Sequence, residues 1–210
     1  GGLRELEELS KFVSDVGKVH DYLPFGDRYE VGETMGKGGF AIVRKAKHKA
    51  SNEIVAVKTI SIKEAMESDD DKGSKNDSDS DDDSDSESEE FEAMTTEEVL
   101  NELALMQRLS RHPHIVTIRE FFTEQNGAVI HVVMDLLKGQ ELEDAISEQP
   151  NGRFPEAIAK KMIHHLLDAV AFMHTKGVIH RDLKLENIVL REKDDYDTVT
   201  IVDFGLAKVL

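Results

Sequence analysis

The sequence contains no cysteine. That excludes disulfides and any Cys-ligated zinc site, and it permits a reducing, intracellular compartment. No apolar run approaches the roughly 20 residues that a membrane span needs, and no secretory signal is visible. Basic residues are in the minority: 26 Lys and Arg stand against 43 Asp and Glu, a formal charge of −17. This is the wrong sign for a chain whose main partner is nucleic acid or an anionic membrane. Most of the excess is local. Residues 67–92 hold fourteen acidic residues and two Lys, and the −5 left elsewhere is ordinary for a soluble protein. His164, His165 and His174 share one stretch, but no His-Glu-x-x-His spacing exists, so no zinc site is read there. The chain starts Gly1-Gly2 without an initiator Met, which points to a fragment or a processed product. Its 210 residues suffice for a substantial core, in one domain or two small lobes. A cytoplasmic location is the expectation, with the nucleus left open.

Leu3, Leu6, Leu9, Phe12, Val13 and Val16 recur at helical spacing between charged residues. They predict an amphipathic helix that either recruits a partner helix or packs on the domain that follows. Residues 20–27, with Pro24 and Gly26 as breakers, read as a connector. Tyr29 to Lys47 predicts two strands around a Gly-rich turn, Gly36-Lys37-Gly38-Gly39-Phe40-Ala41-Ile42-Val43. Glycines there let backbone N–H groups approach phosphate oxygens without a Cβ in the way. The turn lacks the Gly-Lys-Ser/Thr ending of a P-loop, and a strand rather than a helix follows it, unlike a dinucleotide-binding turn. A β-branched run, Ile54 to Ile60, carries Lys58 in Val-Ala-Val-Lys, 22 residues after Gly36.

Residues 68–90 are low-complexity Asp, Ser and Glu with almost no apolar residue, so disorder is expected. Asp79, Asp81, Asp83 and Glu90 fall at calcium-loop positions. However, Ser84 stands where Gly is needed and no helix precedes, which disfavours that reading. The tract reads as a solvated insertion, or as a regulatory one. Ser78, Ser80, Ser84 and Ser86 each have an acid three residues on, which suits a regulatory acidophilic kinase.

Thr95 and Glu98 form a capping box at the start of a helix whose apolar face is Val99, Leu100, Leu103, Met106 and Leu109. Glu102 lies on that helix. Residues 115–122 and 129–136 predict a hairpin around Asn126-Gly127. Pro155 opens a further helix with a broad stripe, Ile158, Met162, Ile163, Leu166, Leu167, Val170 and Met173, read as core and ending at Gly177.

The remaining motifs are His180-Arg181-Asp182-Leu183-Lys184-Leu185-Glu186-Asn187 and, twenty-one residues after Asp182, Asp203-Phe204-Gly205. Two acids on strand-flanking loops, with an Asn five residues after the first, suit a polyphosphate and its divalent metal. With the Gly-rich turn, Val-Ala-Val-Lys and the helix Glu in order, the chain resembles a Ser/Thr protein kinase from about Tyr29 to Leu210. Within that family the two motifs look most like the calcium/calmodulin-dependent-kinase-like group.

The resemblance implies an α+β bilobal fold: a complete N-lobe of antiparallel sheet plus one helix, and a partial helical C-lobe. The expected division is 1–28 helix and connector, 29–134 N-lobe with the 67–92 insertion, and 135–210 hinge and partial C-lobe. It also implies ATP and Mg²⁺ as cofactors and a protein substrate with a Ser or Thr acceptor. Asp182 would orient the attacking hydroxyl and Lys184 would stabilise the transferring phosphoryl group. Lys58, paired with Glu102, would hold the α- and β-phosphates, and Asn187 and Asp203 would ligate Mg²⁺. Gly36, Gly38, Phe40, Val43, Ala56, Met134, Asp135, Leu137 and Val189 would surround the nucleotide. Glu141 would reach the ribose or simply start a helix. His180 and Phe204, with Met106 and Ile118, would form a column aligning the lobes. Arg181 before Asp182 resembles kinases switched by an activation-loop phosphate. The family's third Gly falls here on Ala41. The sequence stops five residues past Gly205, short of an Ala-Pro-Glu motif, so the expectation is a truncated domain with weak phosphotransfer. The rival expectation is a non-catalytic nucleotide-binding or scaffolding chain whose acidic tract recruits basic partners.

Overall fold

The computed structural model describes residues 24–38, 41–62, 94–124 and 128–209. The predicted N-terminal helix, the acidic insertion, the Asn126-Gly127 turn, Gly39 and Phe40 lie outside the described residues. The first part is a five-stranded antiparallel sheet in the order β1-β2-β3-β5-β4, formed by β1 (Tyr29–Lys37), β2 (Ala41–His48), β3 (Ile54–Ser61), β4 (Ile118–Glu124) and β5 (Val129–Met134). The predicted hairpin is therefore shorter than read. Ile115 bridges Ile201 instead of joining β4.

Period-two alternation decides which face each β3 residue serves. Val55 and Val57 pack with Phe25, Tyr29, Ala46, Phe122 and Val133 on one face. Ala56 and Ile60 turn to the other, toward a larger core. Phe25 belongs to a short helix, α1 (Phe25–Arg28), inside the stretch read as a connector. Its ring stacks on Tyr29 at 5.4 Å and on His131 at 4.2 Å, so the sheet's aromatic face reaches back into that stretch.

The helix α2 (Thr96–Leu109) carries the full capping box: Thr95 accepts from the Glu98 N–H, and Glu98 accepts from the Thr95 N–H at 2.9 Å. The Thr95 N–H and the Thr95 hydroxyl both donate to the Glu98 carboxylate, and together they hold it below its ordinary pKa. Val99, Leu103, Met106 and Leu109 are buried against the sheet, as their spacing predicts.

Residues from 135 onward form α3 (Leu142–Ser147), the long α4 (Glu156–Thr175) and two small antiparallel pairs. These are β6 (Val178–Ile179) with β9 (Lys208–Val209), and β7 (Ile188–Leu190) with β8 (Val199–Ile201). Met162, Ala169 and Met173 of α4 are buried. Ile163 and Leu167, assigned to the core by periodicity, are 54% and 61% exposed, because nothing among the described residues covers that side of α4. One continuous core runs between the parts, from Ala56, Leu103 and Met134 to Met173, Val178 and Phe204. The observed architecture is the α+β bilobal one, with a complete sheet-plus-helix lobe and a partial helical lobe.

Candidate active site

The site begins with a lysine on a mostly apolar strand. Lys58 sits mid-β3, paired in register with Val43 on one side and Val132 on the other. Its side chain is only 14% exposed, so its ammonium needs a partner. Glu102 from α2 supplies one, as an ion pair and hydrogen bond between residues 44 apart in sequence. Asp203 Oδ1 lies 3.7 Å from the same ammonium. Burial alone would pull the Lys58 pKa down. Attraction to Glu102 and then Asp203 outweighs it and leaves the pKa above the ordinary lysine value. Glu102 Oε2 is buried and has no hydrogen-bond partner among the described residues.

The second cluster forms on the loops around β7. Asn187 ends a single 3₁₀ turn, Leu185–Asn187, immediately before β7. Its amide nitrogen donates to the Asp182 backbone carbonyl and to Asp182 Oδ2, both at 2.9 Å. Lys184 Nζ lies 3.3 Å from the same carboxylate oxygen. The Asn187 carbonyl accepts from the Val202 N–H at 3.0 Å, next to Asp203. Asn187 thus couples the loop of Asp182 to the strand end that presents Asp203.

Two residues on these site loops take the left-handed backbone that non-glycine residues rarely adopt, Arg181 at φ 68° and Asp203 at φ 58°. Arg181 Nε donates to the Leu206 carbonyl at 2.6 Å, tying the two loops together again. His180 is nearly fully buried. Its Nδ1 accepts from the Asp182 N–H at 3.3 Å and its Nε2 faces the Val202 carbonyl at 3.2 Å, which fixes a neutral tautomer with the proton on Nε2. Burial lowers its pKa, against the opposing pull of that carbonyl. The His180 and Phe204 rings meet edge-on at 5.0 Å, and Phe204 is buried in the core that holds Met106 and Ile118.

Ala56 and Met134 are register partners on neighbouring strands and both are buried, as is Leu137. Val43 of β2, the register partner of Lys58, is half-buried against the same core as Ala56 and Met134. Val189 bridges Glu141. Burial raises the Glu141 carboxyl pKa, and Asp144, Glu143 and Glu186 push it the same way. The Asp135 N–H is used by the Thr117 carbonyl at 3.1 Å.

A Cβ on Gly36 would meet nothing within 4 Å, and one on Gly38 would only touch the Ala41 carbonyl at 3.7 Å. Neither glycine is required by the chain's own packing there, which leaves the space for something else. Phe40 lies outside the described residues. The donor set fits Mg²⁺: Asp203, half exposed, and the Asn187 Oδ1 left over by its nitrogen are hard oxygen ligands. Among the described residues no group of three or more His, Asp or Glu is placed to hold a metal alone. A bound ion would therefore need oxygens from a ligand, as Mg²⁺ does in phosphate sites.

Sequence reading missed the polar residues around the hinge. Arg119 and Arg191 both reach the Asp135 carboxylate, but in sequence they are ordinary cations far apart, with no motif to mark them.

A family model described as the protein kinase domain matches residues 80–210. Among curated proteins, the chain is 30% identical over 197 residues to a calcium and calcium/calmodulin-dependent serine/threonine-protein kinase of Lilium longiflorum, covering 90% of this chain and 37% of that one. It is 34% identical to CBL-interacting protein kinase 4 of Oryza sativa subsp. japonica, covering 88% and 34%. With CDPK-related kinase 4 of Arabidopsis thaliana it shares 33% identity over 87% of this chain and 27% of that one. The chain thus spans between a quarter and two-fifths of the length of these relatives.

Proposed function

The chain belongs to the protein kinase family, and from that premise we propose that it carries the nucleotide site and catalytic loop of an ATP-dependent Ser/Thr kinase of the calcium/calmodulin-dependent-kinase-like group. The observation that supports this best is the convergence of four separate segments. Lys58 of β3 meets Glu102 of α2 and approaches Asp203, while Asn187 grips Asp182 and is bonded to the residue before Asp203. A purely structural ion pair has no need of the second cluster.

In this reading Lys58, steadied by Glu102, contacts the α- and β-phosphates of ATP. Asn187 Oδ1 and Asp203 hold Mg²⁺, which when bound neutralises charge on the phosphates. Ala56, Val43, Val189, Met134 and Leu137 enclose the base against the hinge backbone of Asp135 to Leu137. Gly36 and Gly38 leave room for the phosphates. Glu141 serves the ribose. Asp182 accepts the proton of a Ser or Thr hydroxyl as that oxygen bonds to the γ-phosphorus and the bond to ADP breaks. Lys184, beside Asp182, offsets the charge that develops. Asn187 keeps the Asp182 carboxylate aimed while this happens.

Transfer of labelled γ-phosphate from ATP to pooled Ser, Thr and Tyr peptides tests the proposal, with Asp182→Asn as control. The expected result is labelling of Ser and Thr peptides, lost in the control. Labelling that is indifferent to Asp182→Asn, or confined to Tyr, would refute it. The acidic tract is proposed as a substrate for a second, acidophilic kinase. Intact-mass spectrometry of the cellular protein should find added phosphates there, and an unmodified tract would sink that part.

A further inference from the structure

A line of alternating charges crosses the hinge. Glu53, in the turn between β2 and β3, pairs with Arg119 of β4 at 2.7 Å. Arg119 Nε donates to Asp135 Oδ1 at 2.7 Å, and Arg191 of the segment after β7 donates to Asp135 Oδ2 at 3.1 Å. Both oxygens of the hinge carboxylate are therefore held, one from the sheet lobe and one from the helical lobe. Arg191 also holds the hinge a second time through its backbone: its carbonyl accepts from the Lys138 N–H at 2.9 Å. One residue thus grips the hinge at two points three residues apart. Its own N–H is fixed on the Thr198 carbonyl at 3.1 Å, so the grip is anchored in the β7–β8 pair. None of these side chains belongs to the phosphate or metal cluster, and the side chains of Arg119, Asp135 and Arg191 are each between 24% and 34% exposed.

We propose that Arg191 is a positioning residue for the nucleotide, fixing the hinge through Asp135 and Lys138 in the shape that presents its backbone to an adenine edge. The inference rests on the ATP reading above and extends it to a residue outside every motif. The physical argument is preorganisation. A ligand that needs one hinge shape binds with an affinity reduced by the fraction of molecules holding that shape. Losing the guanidinium leaves Asp135 tied to the sheet lobe alone, and the hinge then samples other shapes. If the competent fraction falls to between about one-third and one-tenth, affinity falls about three- to tenfold.

The test compares the parent with Arg191→Met, which keeps the apolar stem, and Arg191→Lys, which restores a cation. Mg·ATP affinity is read by calorimetry, amide hydrogen exchange is followed at residues 135–140 without nucleotide, and the thermal midpoint is recorded. The expected result is a three- to tenfold weaker affinity for Arg191→Met, with faster exchange confined to the hinge and partial recovery in Arg191→Lys. Affinity within twofold of the parent overturns the proposal. So does a loss accompanied by faster exchange throughout the chain, which marks a merely structural residue. Failure of a folded parent to bind Mg·ATP is a different result, and it removes the ATP reading together with this extension of it.

Discussion

Replacing Glu102 by Gln removes the main counter-charge of Lys58 while keeping the shape of the side chain. Glu102 is 2% exposed and Lys58 14%, so the pair is largely cut off from water. Breaking a buried pair from one side costs about 3–5 kcal/mol, because the surviving charge stays buried. Here Asp203 remains at 3.7 Å, but it is 52% exposed and its attraction is correspondingly screened. It should recover a part of the loss and leave about 2–3 kcal/mol. With a urea dependence of about 2 kcal/mol per molar, the unfolding midpoint drops by about 1–1.5 M. The chain has no Trp and three Tyr, so far-ultraviolet circular dichroism is the suitable probe.

The pH dependence adds a second check. In the parent the Lys58 pKa is raised on folding, so its contribution is complete below the ordinary lysine range and fades as pH climbs through the raised value. In the variant, burial is opposed by Asp203 alone, and shedding the proton becomes the easier course. The stability gap should be widest near neutrality and narrow from about pH 8 to 10.5. A gap below about 0.5 kcal/mol, or one equal at pH 7 and pH 10, would refute the view that this pair is buried and mutually dependent.

Asn187→Ala frees the Asp182 carboxylate from its amide donor. It should lower phosphotransfer at saturating ATP about 100-fold in steady-state assays, at a stability cost of only about 1–2 kcal/mol. Gly139→Ala places a Cβ 2.5 Å from both the Cβ and the carbonyl oxygen of Leu190, where the hinge exit is laced to β7. Scanning calorimetry should find it destabilised by about 1–3 kcal/mol. On α4, Met173→Ala should cost about 2–5 kcal/mol, while Leu167→Ala stays within about 0.5 kcal/mol in urea titrations. Equal costs would mean that the wrong face of the helix has been taken as core.

Periodicity carried the architecture well where one rule acted alone. The alternation of Val55, Ala56 and Val57 divides β3 between two cores, and Thr95 with Glu98 marks the start of α2 to the residue. It failed where a tertiary partner decides. Ile163 and Leu167 fit the apolar side of α4, but period says only which residues share a face, not whether anything covers it. Phe25 sits between two helix breakers, and only the distant rings of Phe122 and His131 draw it into the core. The candidate site follows the same division. Lys58, Glu102, Asp182, Asn187 and Asp203 stand in recognisable local patterns, and the fold brings them together. The left-handed backbone at Arg181 and Asp203 could not be read: Arg rarely adopts it, and Asp tolerates it without requiring it. Nor could the Arg119–Asp135–Arg191 clamp, since its two outer members lie 16 and 56 residues from the acid they share.

The central claim is that the Lys58–Glu102–Asp203 cluster, with Ala56, Met134 and Leu137 beside it, forms a nucleotide site. Calorimetry of Mg·ATP with the parent chain and with the Lys58→Met, Asp203→Asn double variant tests it most directly. Saturable binding by the parent, abolished in a folded double variant, is the predicted result. A folded parent that binds no Mg·ATP, or a double variant that binds as well as the parent, would contradict it.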